Sequence, residues 1–74
     1  MRITVKLFAY FRDERFKEQV TEYPEGTTVL DVIRSLHIDE SEVGVTMINS
    51  RHCTLDQVPA EGDQLAIFPA IGGG

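Results

Sequence analysis

The residues best suited to chemistry stand at the end of the chain, where positions 68–74 read Phe-Pro-Ala-Ile-Gly-Gly-Gly. Pro69 lacks the N–H group that a strand ladder needs, so it is expected to end the last strand. Residues 69–74 are then predicted to form a flexible tail with a reach of roughly 20 Å if extended. Because Gly73 and Gly74 have no Cβ, such a tail could carry its terminal carboxylate into a buried site on another protein. Once adenylated there, the acyl carbon is open to attack by sulfur or by an amine; the alternative interpretation is a frayed, inert end.

The size of the chain argues against a free-standing enzyme. With 74 residues, 42% of them hydrophobic, it can form a single compact domain over 1–74 but cannot also enclose a deep active site. The net charge of −5 disfavours nucleic acid and anionic membranes and suits a partner with a basic face, although small acidic domains are also simply soluble. The first residues show no signal-peptide pattern, and no apolar run approaches the roughly 18 residues of a membrane helix, so a cytoplasmic location is expected.

Hydrophobic periodicity predicts the elements that must position this tail. Strands are predicted at residues 1–9, 18–23, 43–48, 51–54 and 64–68. In the first strand, one set of side chains faces inward: Ile3, Val5, Leu7 and Ala9. Residues 11–17 are charged and are interpreted as a turn or irregular excursion, and Asn49-Ser50 can make a tight hairpin turn. If the first and last strands are neighbours, they run parallel in the centre of the sheet.

One helix is predicted between the second and third strands. Its apolar face has the spacing i, i+3, i+4 and i+7, formed by Val29, Val32, Ile33 and Leu36. Thr28 is well placed to cap the helix, with Asp31 three residues later. The apolar stripe of the helix must cover the apolar face of the sheet, which predicts an α+β sandwich of two layers.

Several short motifs occur together along nearly the whole length: Leu7-Phe8-Ala9 with Phe11-Arg12, Gly26-Thr27-Thr28-Val29, Ile48-Asn49 with Arg51-His52, Glu61-Gly62-Asp63, and Phe68-Pro69 before the terminal glycines. With them the chain resembles the MoaD/ThiS family of sulfur carriers, which are related to ubiquitin. The resemblance implies the β-grasp fold, a mixed sheet packed on one main helix with a flexible Gly-Gly tail.

The resemblance also implies a chemical role for the tail. An activating enzyme of the MoeB/ThiF type would use ATP to adenylate Gly74, and a sulfur donor would displace AMP to leave a thiocarboxylate. Gly73 would be the small neighbour that this reaction needs. The carrier would bind no cofactor itself and would act as the small subunit or co-substrate of a sulfurtransferase.

The resemblance is closer to the MoaD branch, the small subunit of molybdopterin synthase, and the ThiS branch is the alternative for the acceptor pathway. In the MoaD branch the tail enters a larger MoaE-type subunit and gives sulfur to molybdopterin; in the ThiS branch a thiazole synthase uses the sulfur for thiamine. Phe68-Pro69 is more similar to MoaD, whereas the Ile71-Gly72 start of the ending is more similar to ThiS. Two hypotheses from different classes also stay open, namely a ubiquitin-like protein modifier and a binding module with an inert tail.

Two aromatic residues are candidates for docking a partner. By strand parity Phe8 and Phe68 both point away from the helix, so on neighbouring strands their rings meet on the outer face. An exposed apolar pair on so small a domain indicates a docking patch, although a minor core covered by residues 11–17 is the alternative. Pro69, Ile71 and Gly72 complete the predicted docking set.

The remaining residues with reactive side chains carry no predicted site. Cys53, the only cysteine, is interpreted as a small apolar filler. His37 and His52 have no partners at metal-ligand spacing, so no metal site is expected.

Overall fold

The computed structural model describes residues 1–70, and residues 71–74 lie outside the described part. The strands within that part are β1 (Arg2–Leu7), β2 (Glu18–Glu22), β3 (Val43–Ile48), β4 (Arg51–His52) and β5 (Gln64–Pro69). The helix α1 (Val29–Ser35) lies between β2 and β3, and two 3₁₀ turns span Ala9–Arg12 and Glu40–Glu42. All of the predicted strands and the predicted helix are therefore present.

The strands form one mixed sheet in the order β2-β1-β5-β3-β4. β1 and β5 run parallel at its centre, with Val5 opposite Leu65, and the other neighbouring strands pair antiparallel. The predicted parallel pairing of the first and last strands is confirmed. The helix covers one face of this sheet, so the α+β β-grasp fold implied by the resemblance is confirmed as well.

The core lies between the helix and the sheet. The side chains that are no more than 1% exposed come from both layers: Ile3, Val5, Leu7, Val29, Val32, Ile33, Leu65 and Ile67. They occupy every second position of β1 and β5 and one stripe of α1, as the period-two and period-3.6 patterns predicted.

Two residues after β1 differ from the prediction. Ala9 does not continue the inward row, because the strand ends at Leu7 and Ala9 begins the first 3₁₀ turn with φ 52° and an exposed side chain. The turn instead directs Phe11 into the core, where it is 2% exposed. The segment interpreted as a charged excursion therefore contributes an aromatic core residue.

Both ends of the helix are satisfied by side chains. The Thr28 hydroxyl accepts from the Asp31 N–H at 3.1 Å, and the Asp31 carboxylate accepts from the Thr28 N–H at 3.1 Å, which completes a capping box. At the other end Arg15 donates to the carbonyl oxygens of Leu36 at 2.9 Å and His37 at 3.1 Å. The positive charge of Arg15 also interacts favourably with the partial negative charge at the C-terminal end of the helix dipole.

The hairpin between β3 and β4 has the turn that its residues predict. Asn49 and Ser50 have φ values of 51° and 69°, so both central residues are left-handed, as a type I′ turn requires. The Asn49 side chain also donates to the Asp63 carboxylate at 2.9 Å and accepts from the Gln64 N–H at 2.9 Å. These bonds tie the hairpin to the start of β5.

No helix within residues 1–70 has both the length and the apolar character that crossing a bilayer requires.

The capping box predicts an acid-dependent loss of stability. The pKa of Asp31 is lowered, first by the hydrogen bond from the Thr28 N–H and then by the Thr28 side chain, with a smaller effect of the Arg34 charge. A lowered pKa in the folded state means that ionised Asp31 stabilises the fold fully above its ordinary pKa of about 3.9 and loses this effect as the pH falls through the folded value. Urea denaturation across this range should show a shallower loss for Asp31→Asn than for the wild type.

Asp31→Glu is the matched control, because it keeps a carboxylate at the same position of the capping box and should keep the acid dependence. Parallel pH profiles of the wild type and Asp31→Asn would contradict the assignment.

Candidate functional site

The two outward aromatic rings lie against each other on the face of the sheet opposite the helix. Phe8 directly follows β1, and Phe68 lies in β5, so the parallel pairing of these strands brings the rings together. Their centroids are 4.1 Å apart and their planes differ by 12°, which is a stacked pair. Both residues are half-buried. The predicted meeting of the rings is confirmed, and their role in docking stays a prediction.

The aromatic pair continues into an apolar strip across the outer face. The strip consists of Phe8, Phe68, Ala66, Val45 and Met47, of which Val45 lies opposite Phe68 and Met47 opposite Ala66 in the sheet register. All five are half-buried. The first 3₁₀ turn does not cover the strip with an apolar side chain, because Phe11 turns into the core on the other side. The strip is therefore a half-buried apolar surface on the outer face of the sheet.

A cluster of cations borders the aromatic pair. The Arg12 guanidinium carbon lies 5.2 Å from the centroid of the Phe8 ring, a cation–π arrangement, and the Arg12 Nε donates to the Leu7 carbonyl at 2.7 Å. Lys6 and Lys17 line the same shallow cleft beside Phe8, together with one carboxylate, that of Glu18. Within residues 1–70 the carboxylate ion pairs engage other cations, namely the N-terminal amine, Arg2 and Arg34.

The net charge of the chain therefore does not describe this face. From the net charge of −5, a partner with a basic surface is expected. A partner that contacts Phe8 meets three cations, Lys6, Arg12 and Lys17, against the single carboxylate of Glu18. The excess of positive charge is complemented by carboxylates at the rim of the partner's own apolar surface.

The last strand, β5, is one residue longer than predicted, because it includes Pro69. Pro69 is the last residue of the strand, lies opposite Val43 and is buried. Its missing N–H is tolerated because it stands at the strand terminus. The predicted tail therefore does not begin at Pro69, whose ring is buried, and the role of this residue in docking stays a prediction. The next residue, Ala70, is also held, because its N–H donates to the Glu42 carbonyl at 2.8 Å.

The remaining predicted site residues are Ile71, Gly72, Gly73 and Gly74, and they lie outside the described residues. Their assignments as docking residues and as the reactive end stay predictions. The structure does describe Ala70, the residue that precedes them. Ala70 directly follows β5, at the end of the sheet where the Phe8 and Phe68 rings lie.

A hydrogen bond between Tyr10 and Glu42, next to Ala70, was not predicted from the sequence. The Tyr10 hydroxyl donates to the Glu42 carboxylate at 3.1 Å, which joins the first 3₁₀ turn to the residue that holds Ala70. The pKa of Tyr10 is raised, first by partial burial of its phenol, then by the hydrogen bond to Glu42 and by the negative charge of that carboxylate. No local sequence pattern predicts this contact, because Tyr10 and Glu42 are 32 residues apart in the chain.

The lone cysteine and the histidines occupy ordinary structural positions. Cys53 is half-buried against the core, and its Sγ lies 3.4 Å from the Thr46 hydroxyl. His37 takes a left-handed conformation after the helix, with φ 59°, and His52 is exposed on β4. Over the described range 1–70, no three side chains among His, Cys, Asp and Glu come together as a set that could hold a metal ion.

One helix packed on a mixed five-stranded sheet, with the parallel first and last strands at its centre, is the architecture of the ubiquitin-like β-grasp proteins. The model of the ThiS family matches residues 5–74. The chain therefore belongs to the ThiS family and is a sulfur carrier protein of the MoaD/ThiS type.

Solved structures of other proteins share this fold. A protein of Pyrococcus furiosus described as subunit 1 of a molybdopterin converting factor is 28% identical, with 96% of this chain and 99% of that chain covered and a TM-score of 0.77. Small archaeal modifier protein 1 of Haloferax volcanii is 20% identical over 95% of this chain and 98% of that one, with a TM-score of 0.76.

A third structure is a complex of subunits 1 and 2 of the molybdopterin-converting factor of Helicobacter pylori, in which the matched chain is 15% identical, both chains are covered fully and the TM-score is 0.66. At these identities the Haloferax and Helicobacter proteins show likeness of fold alone. Among curated proteins no sequence matches the chain.

The Tyr10–Glu42 contact can be tested by titration. In a Tyr23→Phe background, Tyr10 is the only tyrosine, so the ultraviolet absorbance of tyrosinate reports its pKa directly. Glu42→Ala should lower this pKa, because the hydrogen bond and the negative charge are removed, while partial burial keeps it above the ordinary value of about 10.

Glu40→Ala is the control, because Glu40 belongs to the same 3₁₀ turn but bonds to Arg34 at 2.9 Å. An equal fall of the Tyr10 pKa in both variants would show that general charge, and not the Glu42 contact, causes the shift.

Proposed function

We propose that this protein carries sulfur as a thiocarboxylate on Gly74 and donates it in molybdopterin biosynthesis. The observation that carries the proposal is the ThiS family match, which extends through the terminal glycines to residue 74. The 28% identical Pyrococcus protein, described as a molybdopterin converting factor subunit, favours the molybdopterin branch.

The proposed chemistry needs two steps and an activating enzyme. An oxygen of the Gly74 carboxylate attacks the α-phosphate of ATP, which releases pyrophosphate and forms an acyl-adenylate. A sulfur nucleophile, in the simplest case hydrosulfide, then attacks the acyl carbon, and AMP leaves. The chain supplies the carboxylate and, in Gly73, a neighbour without a Cβ that fits a narrow channel. The activating enzyme, of the MoeB/ThiF type, supplies the nucleotide site.

We assign two partners to the outer face of the sheet. The activating enzyme and a MoaE-type large subunit would each dock on the Phe8–Phe68 pair and receive the terminal segment. Support comes from the stacked, half-buried rings and from their position at the sheet edge next to Ala70. The Helicobacter structure of the same fold is a complex of the two subunits of the molybdopterin-converting factor.

A ThiS-like role in thiamine thiazole synthesis is the alternative acceptor branch, and the ending Ile71-Gly72-Gly73-Gly74 favours it. The loaded carrier separates the two branches when it is offered in parallel to a MoaE-type subunit with the molybdopterin precursor and to a thiazole synthase. Formation of the dithiolene product supports the first branch, and thiazole formation supports the second. A ladder of heavier conjugates on blots of native extract would instead identify a protein modifier.

Shortening the tail tests the reactive end. Because the chain ends in three glycines, deletion of Gly74 alone leaves a Gly72-Gly73 end that is about 3.5 Å shorter, so weak loading is expected. Deletion of both Gly73 and Gly74 should abolish loading, since a residue with a side chain then precedes the last glycine. The measurement is the intact mass after incubation with activating enzyme, ATP and sulfide, in which sulfur replaces one oxygen.

Thermal unfolding checks that these truncations leave the fold intact, which is expected because residues 1–70 contain the whole described core. Undiminished sulfur loading of the doubly truncated chain would overturn the proposal.

Truncation of an aromatic ring tests the docking face. Phe8→Ala removes one half of the stacked pair and should weaken binding to the activating enzyme by about 1.4–2.8 kcal/mol, or roughly 10–100-fold in Kd. Titration calorimetry measures the loss. Val58→Ala is the control, because Val58 is 47% exposed but lies in the loop between β4 and β5, off the outer face. Equal affinities for Phe8→Ala and Val58→Ala would remove the pair from the interface.

A further inference from the structure

A glycine in β3 lies against the segment that leads to the tail. Gly44 stands at the irregularity in the pairing of β3 with β5, between Val43 and Val45. A Cβ at this position would lie 2.8 Å from the Ala70 Cα, 2.9 Å from the Ala70 nitrogen and 2.9 Å from the Pro69 carbonyl oxygen. All three atoms are backbone atoms, which cannot rotate away as a side chain does. The space that glycine leaves empty is therefore the space that Ala70 occupies.

The need for glycine here is close approach and not conformational freedom. Only Gly26 and Gly62, among the glycines of residues 1–70, have a positive φ, at 88° and 84°, and a Cβ on either would meet nothing within 4 Å. Gly44 shows the reverse combination. A glycine inside a strand commonly marks such an approach of another backbone.

Ala70 is also bonded to the same strand entrance. Its N–H donates to the carbonyl of Glu42 at 2.8 Å, just before β3 begins. Glu42 is held in turn, because its own N–H donates to the Asp39 carbonyl at 2.9 Å and its carboxylate accepts from Tyr10 at 3.1 Å. We call Tyr10, Glu42 and Gly44 together the tail anchor.

We propose that the tail anchor is a positioning device for the reactive end: Gly44 and the Glu42 carbonyl set the place and direction in which the chain leaves Ala70. This inference rests on the proposed carrier function. It assigns a role to residues that lie outside the docking pair and outside the glycine tail, and that act through Ala70 without touching a substrate.

The anchor shortens the arm that a partner must guide. An arm of six residues from Pro69 reaches roughly 20 Å, whereas the four residues after Ala70 span at most about 14 Å. The starting point also lies beside the docking pair, because Val45, next to Gly44, is opposite Phe68. A partner that binds the pair therefore receives the arm from a defined point, which raises the effective concentration of the carboxylate at its nucleotide site.

Docking and turnover depend on different parts of the carrier. The apolar strip sets how tightly the activating enzyme binds the carrier, and the anchor sets how often the bound carrier presents its carboxylate productively. Gly44→Ala should therefore lower kcat of ATP–pyrophosphate exchange, with the carrier as varied substrate, by at least about tenfold, because misplacement by an ångström can cost up to about a hundredfold. The KM for the carrier should stay within about twofold of the wild type.

Three further measurements distinguish positioning from a loss of fold. Amide hydrogen exchange of Gly44→Ala should show protection lost at Ala70 and kept at Ile67 in the middle of β5. Gly26→Ala is the matched control, because it strains a left-handed glycine far from Ala70 and should lower stability while kcat is retained. A glycine inserted after Ile71 in the Gly44→Ala chain should restore part of kcat, because a longer arm can reach the nucleotide site from a displaced start. Such an insertion does not repair the fold, so recovery would identify positioning as the cause.

Should Gly44→Ala fail to fold, Ala70→Pro replaces it, since proline removes the N–H that bonds to Glu42 and leaves Gly44 untouched. The same loss of kcat at constant KM is then expected. Unchanged kcat in Ala70→Pro, or in a Gly44→Ala chain whose Ala70 amide has lost protection, overturns the positioning role and leaves the carrier function standing. A wild-type chain that supports no exchange at all overturns both.

Discussion

The parallel pairing of β1 with β5 is the contact on which the other features of this protein depend. It joins the two ends of the described chain at the centre of the sheet, where Val5, Leu7, Leu65 and Ile67 are fully buried beneath the helix. Burial of each such side chain contributes about 1.5–3 kcal/mol. Since parallel strands end at the same edge of a sheet, the pairing also places Phe8 beside Phe68 and the exit of the chain at that edge. The interior contact thus determines where the exterior surface forms.

The two faces of the sheet have different roles in this small protein. One face and the helix provide the core, and the other face keeps an apolar strip with cations at its border. Cations at the rim of an apolar surface add more to the rate and specificity of association than to its strength. If the carrier binds two partners in turn, as proposed, such an arrangement favours their exchange.

The exit of the chain is held in place up to the last residue that the structure describes. Pro69 is the last residue of β5, and the Ala70 N–H donates to the Glu42 carbonyl, so both residues are held by contacts within the described chain. If the protein acts as proposed, an ordered start reduces the number of conformations that a partner has to select, which lowers the entropic cost of presenting the carboxylate. The absence of a Cβ on Gly44 is what allows the two backbones to approach so closely. A methyl group at position 44 would occupy the space that the Ala70 backbone takes.

Local patterns in the sequence determined the helix with its Thr28 cap, the Asn49-Ser50 turn and the alternation that sets Phe8 and Phe68 outward. Each of these features depends on residues within a few positions of one another, so propensity and periodicity are enough to predict it. The stacking of the rings needed one further assumption, that the first and last strands are neighbours, and the topology supplies it.

Only the tertiary structure decided the rest. It directed Phe11 into the core, kept Pro69 in β5, joined Tyr10 to Glu42 and brought Gly44 against Ala70. These contacts link positions that are distant in the chain or depend on an exact register between strands. A one-residue slip would move each side chain to the other face, and neither composition nor spacing records that register.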